Sequence, residues 1–239
     1  MKHPFRSHIL PLFTMGAGGL GFALRLWLFS AVDEKGLLPA KHPAGTLLFL
    51  LSAAVLGILF LASRHIEPRT VNRKALRPVS ATACLLGGLG LIFNTMTIMG
   101  STSKLTVPAL ILNLAGGLVM LFMAFLKFRG KKLPYWLPAA LTAVLMVTTV
   151  AQCQVWGTEP QLQVYFFPLM ASIFLILTAY QKTALLARSG KRSLLAFFSQ
   201  SAAFFCCLSF NSFHKFFYCG LFLWAALQIF SCLPHKKEA

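Results

Sequence analysis

The residue best suited to chemistry is a single arginine, Arg25, within a long apolar stretch near the start of the chain. A charged side chain at the centre of a membrane span costs about 2.5 to 3.5 kcal/mol on insertion scales, and it usually faces water or the bundle interior. Its guanidinium could bind an anionic head group. The structural alternative is that the side chain snorkels to the outer interface or pairs with an amide.

Neutral polar residues recur at a similar depth in other apolar segments. Arg25 and Asn94 each stand four residues after a Gly-Gly-Leu-Gly sequence. The predicted outer polar layer comprises Arg25, Asn94, Asn113, Gln152 and Asn211, with Tyr165 and His214 near its rim. We expect this layer to bind a ligand. The alternative is interhelical hydrogen bonding, at about 0.6 kcal/mol per contact, which needs no ligand.

Catalytic and metal-binding signatures are missing from the sequence. The five acidic residues all lie outside the cores of the apolar segments: Asp33, Glu34, Glu67, Glu159 and Glu238. Carboxylate relays of the kind that couple many pumps to protons or sodium are therefore not expected. The sequence contains no HExxH, GxSxG or Walker motif. Its six cysteines have no CxxC spacing and are expected to pack as small apolar residues. We expect no cofactor and no enzymatic activity.

The elements that position these residues are about eight apolar segments of near membrane-spanning length. The chain is 57% hydrophobic, and its mean hydropathy is +0.74. Backbone groups in lipid must be satisfied internally, and the segments lack the alternation of barrel strands, so they are expected to be helices. The predicted spans are 8–32, 44–63, 80–100, 106–126, 135–156, 161–181, 194–211 and 215–233.

These segments predict one domain, residues 1–239: an all-α integral membrane protein, a polytopic bundle of about eight transmembrane helices arranged as consecutive hairpins. The last two predicted spans are separated only by residues 211–214. A re-entrant hairpin, with six full spans and a tucked pair, is the alternative.

The orientation follows from the 22 lysines and arginines. In eight alternating spans, 17 of them fall in the linkers of one side and four on the other, with Arg25 inside a span. Because cytoplasmic linkers carry the excess of positive charge, both termini are predicted to be cytoplasmic, in the cell membrane of a prokaryote. The net charge of +17 is therefore a feature of topology, and we expect no binding to nucleic acid.

One basic linker is a candidate for contact with a partner protein or with anionic lipid. The positive residues of this linker are Arg64, Arg69, Arg73, Lys74 and Arg77. Each basic residue near an anionic lipid surface contributes about 1 kcal/mol of attraction. Topology alone also explains the cluster, and docking of a cytoplasmic protein is the second interpretation.

Three prolines give a faint internal repeat. Pro43, Pro108 and Pro168 are each expected to open a span that ends in a basic cluster about 20 residues later, since proline is tolerated in a first helical turn. The function expected from the sequence is that of a permease-like or lipid- and amphiphile-binding membrane component. The rival is a non-transporting scaffold or partner subunit. An intramembrane enzyme would require His214, Tyr165 and Gln152 to converge.

Overall fold

The described part of the chain is almost entirely helical. A computed structural model describes residues 9–31, 42–64, 73–99, 107–156, 162–212 and 214–232, and these ranges contain no β-strand. The helices are α1 (Ile9–Ser30), α2 (Pro43–Arg64), α3 (Arg73–Met99), α4 (Val107–Phe128), α5 (Trp136–Trp156), α6 (Leu162–Leu186), α7 (Arg192–Leu208) and α8 (Lys215–Leu227). A short 3-10 helix, Gln228–Cys232, continues α8.

Six of these helices, α1 to α6, are long and apolar enough to cross a membrane. Their outward faces carry large apolar side chains: Leu12, Leu20 and Phe49 expose 68%, 65% and 63% of their surface. Exposed apolar surface on this scale is suited to lipid. The fold is therefore compatible with a multi-pass membrane protein. The two remaining helices, α7 with 17 residues and α8 with 13, are shorter.

Successive helices run in opposite directions. The rings of Trp27, near the end of α1, and His42, beside the start of α2, are 5.4 Å apart. Arg25 likewise contacts both the last residue of α7 and the first turn of α6. We call this end of the bundle, where α1, α3, α5 and α7 finish, the Arg25 end. The opposite end, where α2 finishes, is the Arg64 end.

Helix α7 occupies the centre of one half of the molecule. It packs against α1, α2, α6 and α8, and most of its residues are buried. Its start lies beside α2, where the rings of Phe197 and Phe60 are 5.7 Å apart. Its finish lies beside α1, because a Cβ added at Gly18 would stand 2.8 Å from Cβ of Cys207. Helix α7 thus extends from near the Arg64 end of the bundle to near the Arg25 end.

The other half is a ring of five helices. Helix α3 packs against α4, α4 against α5, α5 against α6, α6 against α8, and α8 against α3. The α3–α8 contact is very close, since a Cβ at Gly90 would lie 2.6 Å from the carbonyl oxygen of Phe216. Small residues permit this approach of two backbones. We refer to α3, α4, α5, α6 and α8 as the five-helix ring.

Several predicted boundaries need correction. Helix α3 begins at Arg73, seven residues before the predicted span, and contains Pro78. Helix α6 begins at Leu162, so Pro168 lies inside the helix and does not open it, contrary to the proposed repeat. Pro43, by contrast, is the first residue of α2. The interior position of Pro168 matters for the site because it removes a backbone hydrogen-bond donor.

Candidate functional site

Arg25 is buried, with 2% of its surface exposed, and its guanidinium bonds to backbone carbonyl groups. Nη2 donates to the carbonyl oxygen of Val164 at 3.0 Å. In a regular α-helix this carbonyl would accept from the N–H of the residue four positions later, which is Pro168. Proline has no N–H, so Arg25 supplies the donor that α6 lacks.

The second bond of Arg25 caps another helix. Nη1 donates to the carbonyl oxygen of Leu208, the last residue of α7. The final carbonyls of a helix have no intrahelical donor, and a cation near them also interacts favourably with the helix dipole. The rings of Phe29 and Phe167 lie 5.3 and 5.6 Å from the guanidinium carbon, within range of cation–π attraction. Arg25 therefore joins α1, α6 and α7.

A tyrosine on α8 forms hydrogen bonds to the same segment of α6. The hydroxyl of Tyr218, on α8, donates to the carbonyl oxygen of Pro168 at 3.1 Å and lies 3.2 Å from Oγ of Ser172. Tyr218 is fully buried. The two side chains thus hold the proline-interrupted turn of α6 from α1 and from α8.

On α3 and at the start of α8, two other polar side chains are in contact. Nδ2 of Asn94, on α3, lies 3.5 Å from Nδ1 of His214, at the start of α8. Oδ1 of Asn94 is buried and has no hydrogen-bond partner in the described part of the chain. Asn94 and His214 are thus in direct contact, and the oxygen of the amide is unused within the described residues.

The strongest feature of the ring is a pair of buried amides with no hydrogen-bond partner among the described residues. Asn113 on α4 and Gln152 on α5 expose 0% and 1% of their surface. Within the described ranges, neither the nitrogen nor the oxygen of either amide has a hydrogen-bond partner. An unsatisfied buried donor or acceptor costs about 1 to 3 kcal/mol, so native structures contain few of them.

These amides lie at similar distances from the ends of their own helices. Asn94 is five residues from the end of α3, Asn113 six residues from the start of α4, and Gln152 four residues from the end of α5. At 1.5 Å per residue, each is roughly 6 to 9 Å from the Arg25 end of its helix. We call Asn94, Asn113, Gln152 and His214 the amide layer.

The remaining predicted site residues lie elsewhere. Tyr165 is half-buried and follows Val164, the acceptor for Arg25. Asn211 is exposed in the turn after α7, so the structure does not bring it into the buried layer. Sequence analysis missed Tyr218 and Ser172. The spacing of Tyr218, four residues after His214 on the same helix face, is the signal that could have revealed it.

The basic linker is only partly described. Arg64 is exposed, with its guanidinium carbon 4.3 Å from the centre of the Phe60 ring. Arg77 is exposed, and its Nη2 donates to the carbonyl oxygen of Gly130 at 3.4 Å. Arg69 lies outside the described residues, as do the side chains of Arg73 and Lys74. The prediction that this cluster contacts a partner or anionic lipid stays a prediction.

The described residues contain no acidic side chain, because all five fall in the ranges between and beyond them. They also contain no group of three or more potential metal ligands. Comparisons with protein-family models, with curated proteins and with solved structures find no match to this chain. The function must therefore be argued from the geometry of the site.

Proposed function

We propose that this chain is a multi-pass protein of the cell membrane that binds an amphipathic molecule through the amide layer. In this proposal α7 and α8 cross the membrane with the six longer helices, and both termini are cytoplasmic. The alternation of basic linkers supports this orientation, since it gives the Arg25 end the lower positive charge. The amide layer then belongs to the outer half of the membrane.

The observation that carries the proposal is that Asn113 and Gln152 are buried without a hydrogen-bond partner in the part of the chain that the structure describes. Side chains retained only to join helices would bond to each other or to a neighbouring backbone, as Arg25 and Tyr218 do. Four buried polar atoms without partners would cost several kcal/mol in a dry, empty site. A polar group of a bound molecule would offset this cost, and its apolar part would suit the surrounding helices.

Native mass spectrometry of the gently solubilised protein tests this function. The variants are Asn113→Leu and Gln152→Met, which replace each amide by an apolar side chain of similar shape and remove hydrogen bonding. The control is Gln181→Met, which removes an amide from α6 close to its opposite end. A molecule retained by the wild type and the control, and lost from both variants, is the expected result.

Two outcomes would overturn the proposal. Either no molecule is retained by the wild type, or one is retained equally by all four proteins. Both would favour the scaffold interpretation, in which the exposed basic residues dock another protein. In that case a stoichiometric partner should co-purify and be lost when Arg64 and Arg77 are neutralised.

A further inference from the structure

We infer that the amide layer recognises a small, uncharged head group that carries both a hydrogen-bond donor and an acceptor. This inference rests on the proposed function and adds the chemical class of the ligand. It differs from the expectation of an anionic head group, which depended on Arg25.

The cations of the described chain are engaged or placed away from the amide layer. Arg25 donates to the backbone carbonyl groups of Val164 and Leu208. Lys127 is near the other end of its helix, where Nζ lies 2.6 Å from Oγ of Ser80 and 3.2 Å from Sγ of Cys84. Lys215, beside the layer, is exposed, with its ammonium 5.5 Å from the Phe216 ring centre. Among the buried side chains that the structure describes, an anion desolvated at the amides would thus find no ionic partner, which is costly.

The amides offer balanced hydrogen bonding. Asn113 and Gln152 each present an unused NH2 donor and an unused oxygen acceptor, and Asn94 adds an unused oxygen. A phosphate or carboxylate can only accept and would leave all three oxygens unsatisfied. A hydroxyl, diol or neutral amide donates as well as accepts, so it matches the set.

The depth of the polar region limits the size of the head group. Beyond Asn113, the same face of α4 continues with Gly117 and Met120. Beyond Gln152, the hydroxyls of Thr148 and Thr149 are used by carbonyls of their own helix. On the described residues of α4 and α5 next to the amide layer, the hydroxyl protons are therefore already used within α5, which suits a compact head.

The test compares two lipids with identical tails. Dioctanoylglycerol has a neutral hydroxyl head, and dioctanoylphosphatidic acid carries a phosphate in its place. Each is titrated into the detergent-solubilised full chain, and the bound fraction is measured by native mass spectrometry. We expect the wild type to bind dioctanoylglycerol at least about tenfold more tightly than the phosphatidic acid. Loss of two hydrogen bonds in Asn113→Leu or Gln152→Met should weaken that binding about tenfold, while Gln181→Met binds like the wild type.

The inference and the proposed function fail in different ways. Tighter binding of the phosphatidic acid, dependent on Asn113 and Gln152, would overturn the neutral head group and leave amphiphile binding intact. Failure of the wild type to bind dioctanoylglycerol would also overturn the inference. A molecule retained from the membrane and lost in the amide variants would still support the proposed function, whereas its absence would remove both.

Discussion

The role of Arg25 as a backbone donor can be tested by a double-mutant cycle with Pro168. Arg25→Leu leaves two buried carbonyls, at Val164 and Leu208, without the donors that reach them now. At about 1 kcal/mol or more for each unsatisfied group, the expected loss is roughly 2 kcal/mol or greater. For a chain of this size such a loss lowers Tm by about 4 to 8 °C.

Pro168→Ala restores an N–H at the position that should serve the Val164 carbonyl. In that background Arg25→Leu should leave only the Leu208 carbonyl without a donor. The cost of removing Arg25 should therefore fall by about half, a coupling of roughly 1 kcal/mol. The measurement is reversible unfolding of the four proteins in mixed micelles, followed by tryptophan fluorescence.

Pro138→Ala is the matched control for this cycle. Pro138 lies in the first turn of α5, where the N–H would have no intrahelical acceptor. Its combination with Arg25→Leu should be additive. If Pro168→Ala is equally additive with Arg25→Leu, within about 0.5 kcal/mol, the bond to Val164 does not stabilise the protein and the argument fails.

Two further predictions concern packing and the amide layer. Gly90→Ala should separate α3 from α8, because the new Cβ would meet the Phe216 carbonyl oxygen at 2.6 Å, and Tm should fall; Gly16→Ala, with nothing within 4 Å, should leave Tm unchanged or raise it. Asn113→Leu and Gln152→Met should raise Tm of protein stripped of bound lipid, by removing unsatisfied polar atoms, and a fall in Tm would show that these amides are already satisfied.

The helical character of the chain and its six long apolar helices could be predicted from hydropathy alone, because each crossing requires a continuous apolar segment. The depth of Asn94, Asn113 and Gln152 also followed from their distance to the segment ends. Their burial did not follow, since it depends on how α3, α4 and α5 rotate when they pack. A single sequence does not show which face of each helix is buried.

The partners of Arg25 illustrate the same limit. A lone arginine in an apolar span predicts a compensating contact, but sequence analysis considered only head groups, interfaces and amides. The actual acceptors are the backbone carbonyls of Val164 and Leu208. The usual helical donor to Val164 would be residue 168, which is a proline without an N–H, and Leu208 is the last residue of α7. A proline inside a helix indicates a carbonyl that lacks its usual donor. Because Pro168 was expected to open a span, this consequence for Val164 was not predicted.

The two Gly-Gly-Leu-Gly sequences explain why the polar residues that follow them share a level. On α1, Gly21 packs against Leu208, and on α3, Gly90 packs against Phe216, so the two sequences lie against the two members of the α7–α8 hairpin. Arg25 and Asn94, four residues further along, therefore reach the two sides of the turn in that hairpin.

The two residues use this common position differently. The donors of Arg25 serve the backbone of α6 and α7. Among the described residues, by contrast, the oxygen of Asn94 and the amides of Asn113 and Gln152 have no hydrogen-bond partner. Substitutions at Arg25 should thus affect stability first, and substitutions in the amide layer should affect binding while sparing or improving stability. This separation distinguishes a binding layer from interhelical hydrogen bonding, in which every polar residue would act as Arg25 does.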